Sequence, residues 1–373
     1  MRNESLFYLE WLRAALWNTS GPASLPSEHF SWSSVMRLIQ TQATGSLVFP
    51  ALLASQLDFP QSLKQQMKMH CVQTMQQQVK LQQTLMTSWQ ALEQAHIRAV
   101  LMKGAGLASL YREPYLREWS DVDLFVGKEQ YHHACQVLRE TFPDALKFDE
   151  ELDHYKHYNL IADGVSIEIH RVSMSMTHPC DRKHYEQMEK RGMDPMNAEE
   201  LSISGLPVRL PEKTFNILFV FLHSWEHMLT RGANMRQLCD LALLLHHHAG
   251  QVQVHQLKRD LHTLHLMGVW RAYMYLLVNY LGLPPHEAPF YLQARNARAE
   301  RMVTDLMQGR MQAPETDRPA PKNKIARKIF TMRLRWRNCR RIARYCPAYA
   351  KHMKAAVWLQ GVSRLFAADR HWE

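Results

Sequence analysis

Residues 100–126 read VLMKGAGLASLYREPYLREWSDVDLFV, and two aspartates alternate with apolar residues near the end of this stretch. On a β-strand, residues two apart face the same side, so Asp121 and Asp123 project together while the residue between them enters the core. Two carboxylates on one face repel each other unless a cation lies between them. The pattern therefore indicates a divalent cation bound by oxygen ligands, or else a surface strand with two hydrated aspartates.

The first part of this stretch predicts a strand that ends in a glycine turn. Residues 98–102 are mostly apolar, Lys103-Gly104-Ala105 follows, and helical spacing begins at Leu107. At such a junction, backbone N–H groups are free to bind an anion, and the lysine adds a positive charge. The alternative is that the glycines serve only the tight turn.

A third carboxylate follows on a predicted hairpin. Residues 159–170 alternate as two strands joined by Asp163-Gly164, a turn sequence typical of hairpins. Glu168 lies in the middle of the second strand, which can pair beside the strand that carries the two aspartates. Three acids on adjacent strands can bind two metal ions, one for substrate phosphates and one for an attacking hydroxyl.

These features together resemble the nucleotidyltransferase fold of the DNA polymerase β type. The signature of the bacterial uncharacterised nucleotidyltransferases is matched by Leu101-Met102-Lys103-Gly104, by Arg117 and by Asp121-Val122-Asp123-Leu124. The resemblance covers roughly residues 30–300. Many active relatives in the wider superfamily have Gly-Ser or Gly-Gly at the turn, whereas this chain has Gly104-Ala105, so phosphate binding would depend on backbone amides and Lys103.

The resemblance implies a metal-dependent enzyme that moves a nucleoside monophosphate from an NTP to a hydroxyl-type acceptor and releases pyrophosphate. Mg²⁺ or Mn²⁺ is expected at Asp121, Asp123 and Glu168, which are also the expected catalytic residues. Five residues are expected to contact the nucleotide: Lys103, Gly104, Ala105, Arg117 and Arg236. The acceptor stays open among a sugar, a glycan, a small molecule, RNA and a protein.

Simpler roles are the alternatives for several of these predictions. Arg117 lies four residues after Glu113, and Arg236 lies one helical turn before Asp240, so each arginine can form a local ion pair instead. For the whole protein, the first alternative is a catalytically inactive nucleotide-binding module.

Two histidines downstream also match a motif. The segment His223-Ser224-Trp225-Glu226-His227 fits the inverted zinc-protease pattern His-x-x-Glu-His. A match of five residues arises readily by chance in a chain with 21 histidines. The resemblance implies instead that one of these histidines lines the cleft from a helical domain.

Length and composition place the chain among cytoplasmic proteins. Its 373 residues suffice for two or three domains with sizeable cores. The sequence contains no uninterrupted apolar stretch long enough to span a membrane, and its start lacks the pattern of a signal peptide. The six cysteines are scattered without a Cys-x-x-Cys pair, as expected of reduced thiols.

The order of the predicted elements favours an α+β fold, in which a small mixed β-sheet nucleotidyltransferase core is flanked by N-terminal and C-terminal helical regions. The expected divisions are an N-terminal helical region at 1–97, the core at 98–210, a C-terminal helical domain at 211–312, and a linker with a basic amphipathic helical tail at 313–373.

The positive charge of the chain is concentrated in this tail. Residues 318–373 contain fifteen lysines and arginines against two acidic residues, while the whole chain carries +10, so residues 1–317 sum to −3. Apolar residues recur at helical spacing among these charges: Ile325, Ile329, Met332, Trp336 and Cys339. Such a helix can pack on the body, follow a nucleic-acid backbone, or bind an anionic membrane at its inner face through residues 322–366. The second alternative function is therefore an adaptor that acts through the tail.

Overall fold

The structure, a computed structural model, describes residues 3–26, 30–148, 152, 154–176, 178–230, 232–311, 323–347 and 349–355. These residues form an α+β protein with a five-stranded mixed sheet, a separate two-stranded hairpin and many helices. The predicted fold class is confirmed.

Four helices precede the sheet: α1 (Asn3–Trp17), α2 (Trp32–Thr41), α3 (Gly45–Leu53) and α4 (Gln61–Gln94). Apolar residues recur at helical spacing over residues 32–54, and the chain turns between α2 and α3 at Ala43, which has a φ of +49°. The long α4 turns a buried face towards the body at helical spacing, and this face includes Leu81, Leu85 and Trp89.

The five-stranded sheet contains β1 (Val100–Met102), β2 (Asp121–Phe125), β3 (Leu146–Lys147), β4 (His157–Ala162) and β5 (Val165–His170). Its spatial order is β1-β2-β5-β4-β3. Strands β2 and β5 are parallel, and the other neighbours are antiparallel. Helix α5 (Gly104–Ala108) joins β1 to β2, and α6 (Gly127–Thr141) follows β2.

The predicted hairpin forms at β4 and β5. Asp163 and Gly164 connect these strands with φ values of +49° and +76°, which two-residue hairpin turns require. The fully buried side chains of Val122 and Ile167 belong to the same apolar cluster as Trp89 of α4. Since strand residues alternate between faces, the acidic residues of β2 and β5 lie on the opposite face of the sheet.

The second half of the chain is mostly helical. Its elements are α7 (Pro179–Gly192), the hairpin of β6 (Glu199–Ile203) and β7 (Leu206–Leu210), α8 (Lys213–Thr230), α9 (Met235–His247), α10 (Val254–Thr263), α11 (Met267–Asn279), α12 (Ala297–Met307) and α13 (Lys324–Tyr345). Helical spacing extends over residues 214–248, and the structure divides this range between α8 and α9. A new helix starts after Asn234, whose side chain forms a capping box with Gln237.

The basic helix α13 packs on the body through residues near its C-terminal end. Cys339 and Ile342 are buried, whereas Ile329 and Trp336 are 43% and 42% exposed. The described members of the predicted apolar stripe therefore differ in exposure, and the stripe is buried only near the C-terminal end of the helix. The side chains of Ile325 and Met332 lie outside the described residues.

Membrane binding by residues 322–366 stays a prediction. The expected linker at the start of the tail and the residues after 355 also fall outside the described part of the chain. Within the described part, no helix has both the length and the apolar character needed to cross a bilayer.

Candidate active site

The parallel pairing of β2 with β5 brings the three predicted carboxylates together. Asp123 lies opposite Glu168 in the register of the two strands, and Asp121 is two residues away on the same face. One carboxylate oxygen from each of the three residues lies within 4.8 Å of the others. Asp123 is almost fully buried, whereas Asp121 and Glu168 are partly exposed.

A lysine and a histidine contact the innermost carboxylate. Lys103 Nζ lies 2.9 Å from Oδ2 of Asp123, and His170 Nε2 lies 3.0 Å from Oδ1. The same His170 nitrogen lies 3.1 Å from Oε2 of Glu168. The lysine contact is an ion pair without hydrogen-bond alignment, because Oδ2 accepts no hydrogen bond of ordinary geometry from the described residues.

These contacts separate the pKa values of the two aspartates. Burial alone would raise the pKa of Asp123, but Lys103 and His170 hold it well below its usual range. The negative charge of Asp123, followed by burial, raises the pKa of Asp121. Burial also acts to raise the pKa of Glu168, but the hydrogen bond with His170 keeps it below its usual value. Asp121 is therefore the carboxyl whose charge is least compensated.

The three carboxylates fit a hard divalent cation. Their oxygens are close enough to share one ion, although Oδ2 of Asp123 is paired with the Lys103 ammonium, which a metal ion would have to displace from that oxygen. Oxygen-only ligand sets suit Mg²⁺ and Mn²⁺ rather than metals that prefer nitrogen or sulfur.

The turn after β1 is held in an unusual backbone conformation. Lys103 has a φ of +55° and Gly104 a φ of +41°. For a lysine, such a conformation costs on the order of 1–3 kcal/mol, which the surrounding structure must offset. A Cβ at position 104 would lie 3.1 Å from the ring of Trp119, so only glycine fits there without displacement. Ala105 is buried in the core and does not line the cleft.

Arg117 anchors this turn to the C-terminal helical region. Its Nε and Nη2 donate to Oδ1 and Oδ2 of Asp240 at 2.8 and 2.7 Å, and Nη1 donates to the carbonyl oxygen of Gly104 at 3.2 Å. Both partners of the ion pair are buried. The alternative of a local pair with Glu113 is therefore wrong.

The two residues between Arg117 and Ser120 are also fixed by contacts from distant helices. The Glu118 carboxylate accepts a hydrogen bond from Ser46 Oγ at 3.0 Å and lies 3.0 Å from His70 Nε2. The carbonyl oxygen of Trp119 accepts a hydrogen bond from Gln78 of α4 at 3.1 Å. The segment that leads into Asp121 is therefore held before any ligand binds.

Arg236 directs its guanidinium into the same region. Its Nη1 donates to the carbonyl oxygen of Glu118, and the alternative of a local pair with Asp240 is wrong, because Asp240 binds Arg117 and Tyr111. Burial and the nearby Arg117 lower the pKa of Arg236. Its buried Nε has no hydrogen-bond partner among the described residues. A bound anion would stabilise this positive charge.

A cleft of about 290 Å³ opens over the carboxylates. Its volume is close to the lower end of the range for small-molecule sites, about 300–1,000 Å³. One wall contains the turn after β1 and the sheet residues, and α8 forms the facing wall with His223, Glu226 and His227. Both histidines of the protease-like motif thus line the cleft, as the resemblance implied.

The histidines of α8 do not support a zinc protease. Clusters of possible metal ligands in the described part of the chain include neither His223 nor His227. Burial, together with the nearby charge of Lys103, holds the pKa of His223 well below its usual value, so this imidazole is neutral.

Sequence reasoning missed the role of His170 as a partner of two site carboxylates. Its position two residues after Glu168, on the same face of one strand, was the signal that could have found it. It also missed His157 and Lys156, which line the cleft from the start of β4. No motif marks these residues, because they reach the site through the antiparallel pairing of β4 with β5.

Comparisons with known proteins agree with this geometry at the level of the family. A sequence profile described as "Uncharacterised nucleotidyltransferase" matches residues 28–282. A search of curated proteins finds no match. Among solved structures, the chain is similar to the crystal structure of an antigenic nucleotidyltransferase-like protein from Paracoccidioides brasiliensis, at 18% identity and a TM-score of 0.31, over 48% of this chain and 86% of that chain. We draw no conclusion about fold or function from a similarity at that TM-score.

Removing the charge of Asp121 should stabilise the metal-free protein. The folded-state pKa of Asp121 is raised, so its ionisation lowers stability as the pH rises through that pKa. At pH 7 in EDTA, we expect Asp121→Asn to raise the free energy of unfolding in urea by roughly 0.5–2 kcal/mol. The difference should shrink as the pH falls below the raised folded-state pKa, and it should vanish only below the unfolded-state pKa of about 3.9, where the carboxyl is protonated in both states.

The matched control is Asp163→Asn, the same chemical change at an exposed turn of the same sheet. Asparagine tolerates the left-handed backbone of that position, so stability should change by less than about 0.5 kcal/mol. A lower stability of Asp121→Asn than of the wild type at pH 7 would contradict the assigned repulsion.

Breaking the buried ion pair should have the opposite effect. Asp240→Asn leaves the guanidinium of Arg117 buried without a counter-charge, and we expect a loss of about 3–5 kcal/mol in the free energy of unfolding. The control Glu186→Gln removes the exposed ion pair with Lys128 and should change stability by less than about 1 kcal/mol. Equal effects of the two variants would show that Arg117 is not held as described.

Proposed function

We propose that this chain, which belongs to the uncharacterised nucleotidyltransferase family, is a metal-dependent enzyme that transfers a nucleoside monophosphate from an NTP to a hydroxyl-type acceptor and releases pyrophosphate. The observation that carries the proposal is the cluster of Asp121, Asp123 and Glu168 at the base of a cleft with cationic walls. Acidic groups beside cationic ones suit a substrate that brings both phosphates and a metal ion.

The three carboxylates would hold Mg²⁺ or Mn²⁺. When bound, such an ion draws charge from the phosphate oxygens and favours attack by an oxygen nucleophile. Asp123 and Glu168 are kept ionised by their low pKa values, which suits metal ligands. The low pKa of Glu168 makes it a weak proton acceptor. Glu168 therefore fits the role of a metal ligand better than that of a general base.

Lys103, Gly104 and Arg236 would bind the phosphates. Lys103 contacts Asp123 and lines the cleft, and the buried Nε of Arg236 has no hydrogen-bond partner among the described residues. Gly104 also lines the cleft and would contribute through its backbone. Ala105 does not line the cleft, so no phosphate contact is assigned to it.

Arg117 would act by positioning. Both of its carboxylate contacts go to Asp240, and its remaining contact holds the carbonyl oxygen of Gly104. This arrangement fixes the turn at Lys103 and Gly104 relative to α9, which also contains Arg236. The sequence predicted a direct contact between Arg117 and the nucleotide. We propose instead that Arg117 acts indirectly, by holding the turn at Gly104 in place.

A nucleotide-binding module without turnover is the second candidate. The ammonium of Lys103 lies 2.9 Å from Asp123 Oδ2, where a metal ion would otherwise be bound by that oxygen. If this lysine keeps its place when an NTP binds, the site would bind nucleotide without transferring it.

Release of pyrophosphate distinguishes the two candidates. The purified chain is incubated with each α-labelled NTP in Mg²⁺, in Mn²⁺ or in EDTA, and both pyrophosphate and the labelled product are measured. We expect metal-dependent release with at least one NTP. Asp123→Asn should lower the rate at least about 100-fold, since direct ligands matter more than the outer groups that support them.

Two controls make this result decisive. Asp163→Asn should keep the wild-type rate, and thermal unfolding of Asp123→Asn should show that the variant is folded. Equal rates for Asp123→Asn and the wild type would refute the assignment. NTP binding without pyrophosphate release from the wild type would favour the second candidate.

A further inference from the structure

A second cluster of ligating side chains lies away from the cleft, where α7 begins. His178 precedes the first turn of this helix, and Asp181 lies within that turn. His352 reaches both residues from the C-terminal helical segment formed by residues 349–355. One ligand atom from each of the three side chains lies within 4.8 Å of the others.

The contacts within this cluster are close. His352 Nε2 lies 2.7 Å from Asp181 Oδ2, and the rings of His178 and His352 stack with their centroids 4.0 Å apart. The ring of His265, from the connection between α10 and α11, lies 4.8 Å from that of His352. Three imidazoles from separate segments therefore adjoin one another, and two of them lie with Asp181.

The charge of Asp181 is poorly balanced. The residue is only 4% exposed, and the ion pair that it forms among the described residues is with His352 rather than with a lysine or arginine.

We propose that Asp181, His178 and His352 bind a divalent transition-metal ion of the zinc class. Two imidazole nitrogens and one carboxylate oxygen are a ligand set that Zn²⁺ prefers, and water would complete a tetrahedral site. His178 Nδ1 accepts a long N–H bond of 3.2 Å from Cys180, which the metal replaces.

The metal would fasten the C-terminal segment to the wall of the cleft. Tyr349 lies one helical turn before His352 and packs edge-on against Trp225 of α8, with ring centroids 5.8 Å apart. Trp225 lies between His223 and His227, which line the cleft. We call the cluster of His178, Asp181 and His352 the tail site. Zinc at the tail site therefore holds residues 349–355 against α8, the helix that faces the catalytic carboxylates.

Zinc titration of the full chain tests the proposal. Asp121→Asn/Asp123→Asn/Glu168→Gln serves as the background, because the cleft carboxylates, including Glu168 with His157 and His170, would otherwise compete for the ion. Zn²⁺ affinity is measured by competition with a chromophoric chelator, and Co²⁺ absorption reports a tetrahedral site. We expect His352→Gln and Asp181→Asn each to lower Zn²⁺ affinity more than about 100-fold.

The matched control is His247→Gln, which disrupts a different group of possible ligands, Glu199, His247 and His248. It should leave Zn²⁺ affinity unchanged. Unchanged affinity in His352→Gln, or a loss in His247→Gln instead, overturns the proposal.

Hydrogen exchange provides a readout that does not depend on the variants. In the unmutated chain, saturating Zn²⁺ should slow amide exchange within residues 349–355 relative to the chelator-treated protein. Equal amide exchange rates in the two samples would overturn the proposal that zinc at the tail site holds this segment in place.

Discussion

The buried negative charge of Asp121, Asp123 and Glu168 is the constraint on which the rest of the site depends. Two unit charges 4.8 Å apart repel by about 3 kcal/mol at an effective dielectric constant of 20, and the parallel register of β2 and β5 leaves the chain no way to separate them. Lys103 and His170 offset part of this repulsion. The negative charge of Asp121 remains the least compensated, so the site lowers the stability of the folded protein unless a further cation binds.

The surrounding structure is arranged to hold these charges in place. The positive φ of Lys103 directs its side chain from the end of β1 towards Asp123, and the turn that permits this is held by Arg117. Arg117 in turn depends on Asp240 of α9, so the geometry of the sheet site is set partly by the C-terminal helical region. That dependence explains why the cleft lies between the sheet and α8 and α9, and why its walls contain both cations and carboxylates.

Short sequence patterns predicted the features of the site that depend on neighbouring residues in the chain. The alternation at Asp121 and Asp123, the Asp163-Gly164 turn and the face of Glu168 follow from strand periodicity, and the structure has each of them. Long-range contacts were not predictable in the same way. Arg117 had a local partner at Glu113 that fitted helix spacing, yet it pairs with a residue 123 positions away. His170 and Lys156 reach the site through strand pairing, which no short motif records.

The most direct test of a nucleotide site at these carboxylates is thermal unfolding with each NTP in Mg²⁺, in Mn²⁺ and in EDTA, on the wild type and on Asp121→Asn/Asp123→Asn. We expect at least one NTP to stabilise the wild type only when the metal is present, by about 2.7 kcal/mol at a concentration one hundred times Kd. The double variant should show no such stabilisation. Stabilisation that is equal in EDTA, or equal in the double variant, would contradict a metal-dependent nucleotide site at Asp121 and Asp123.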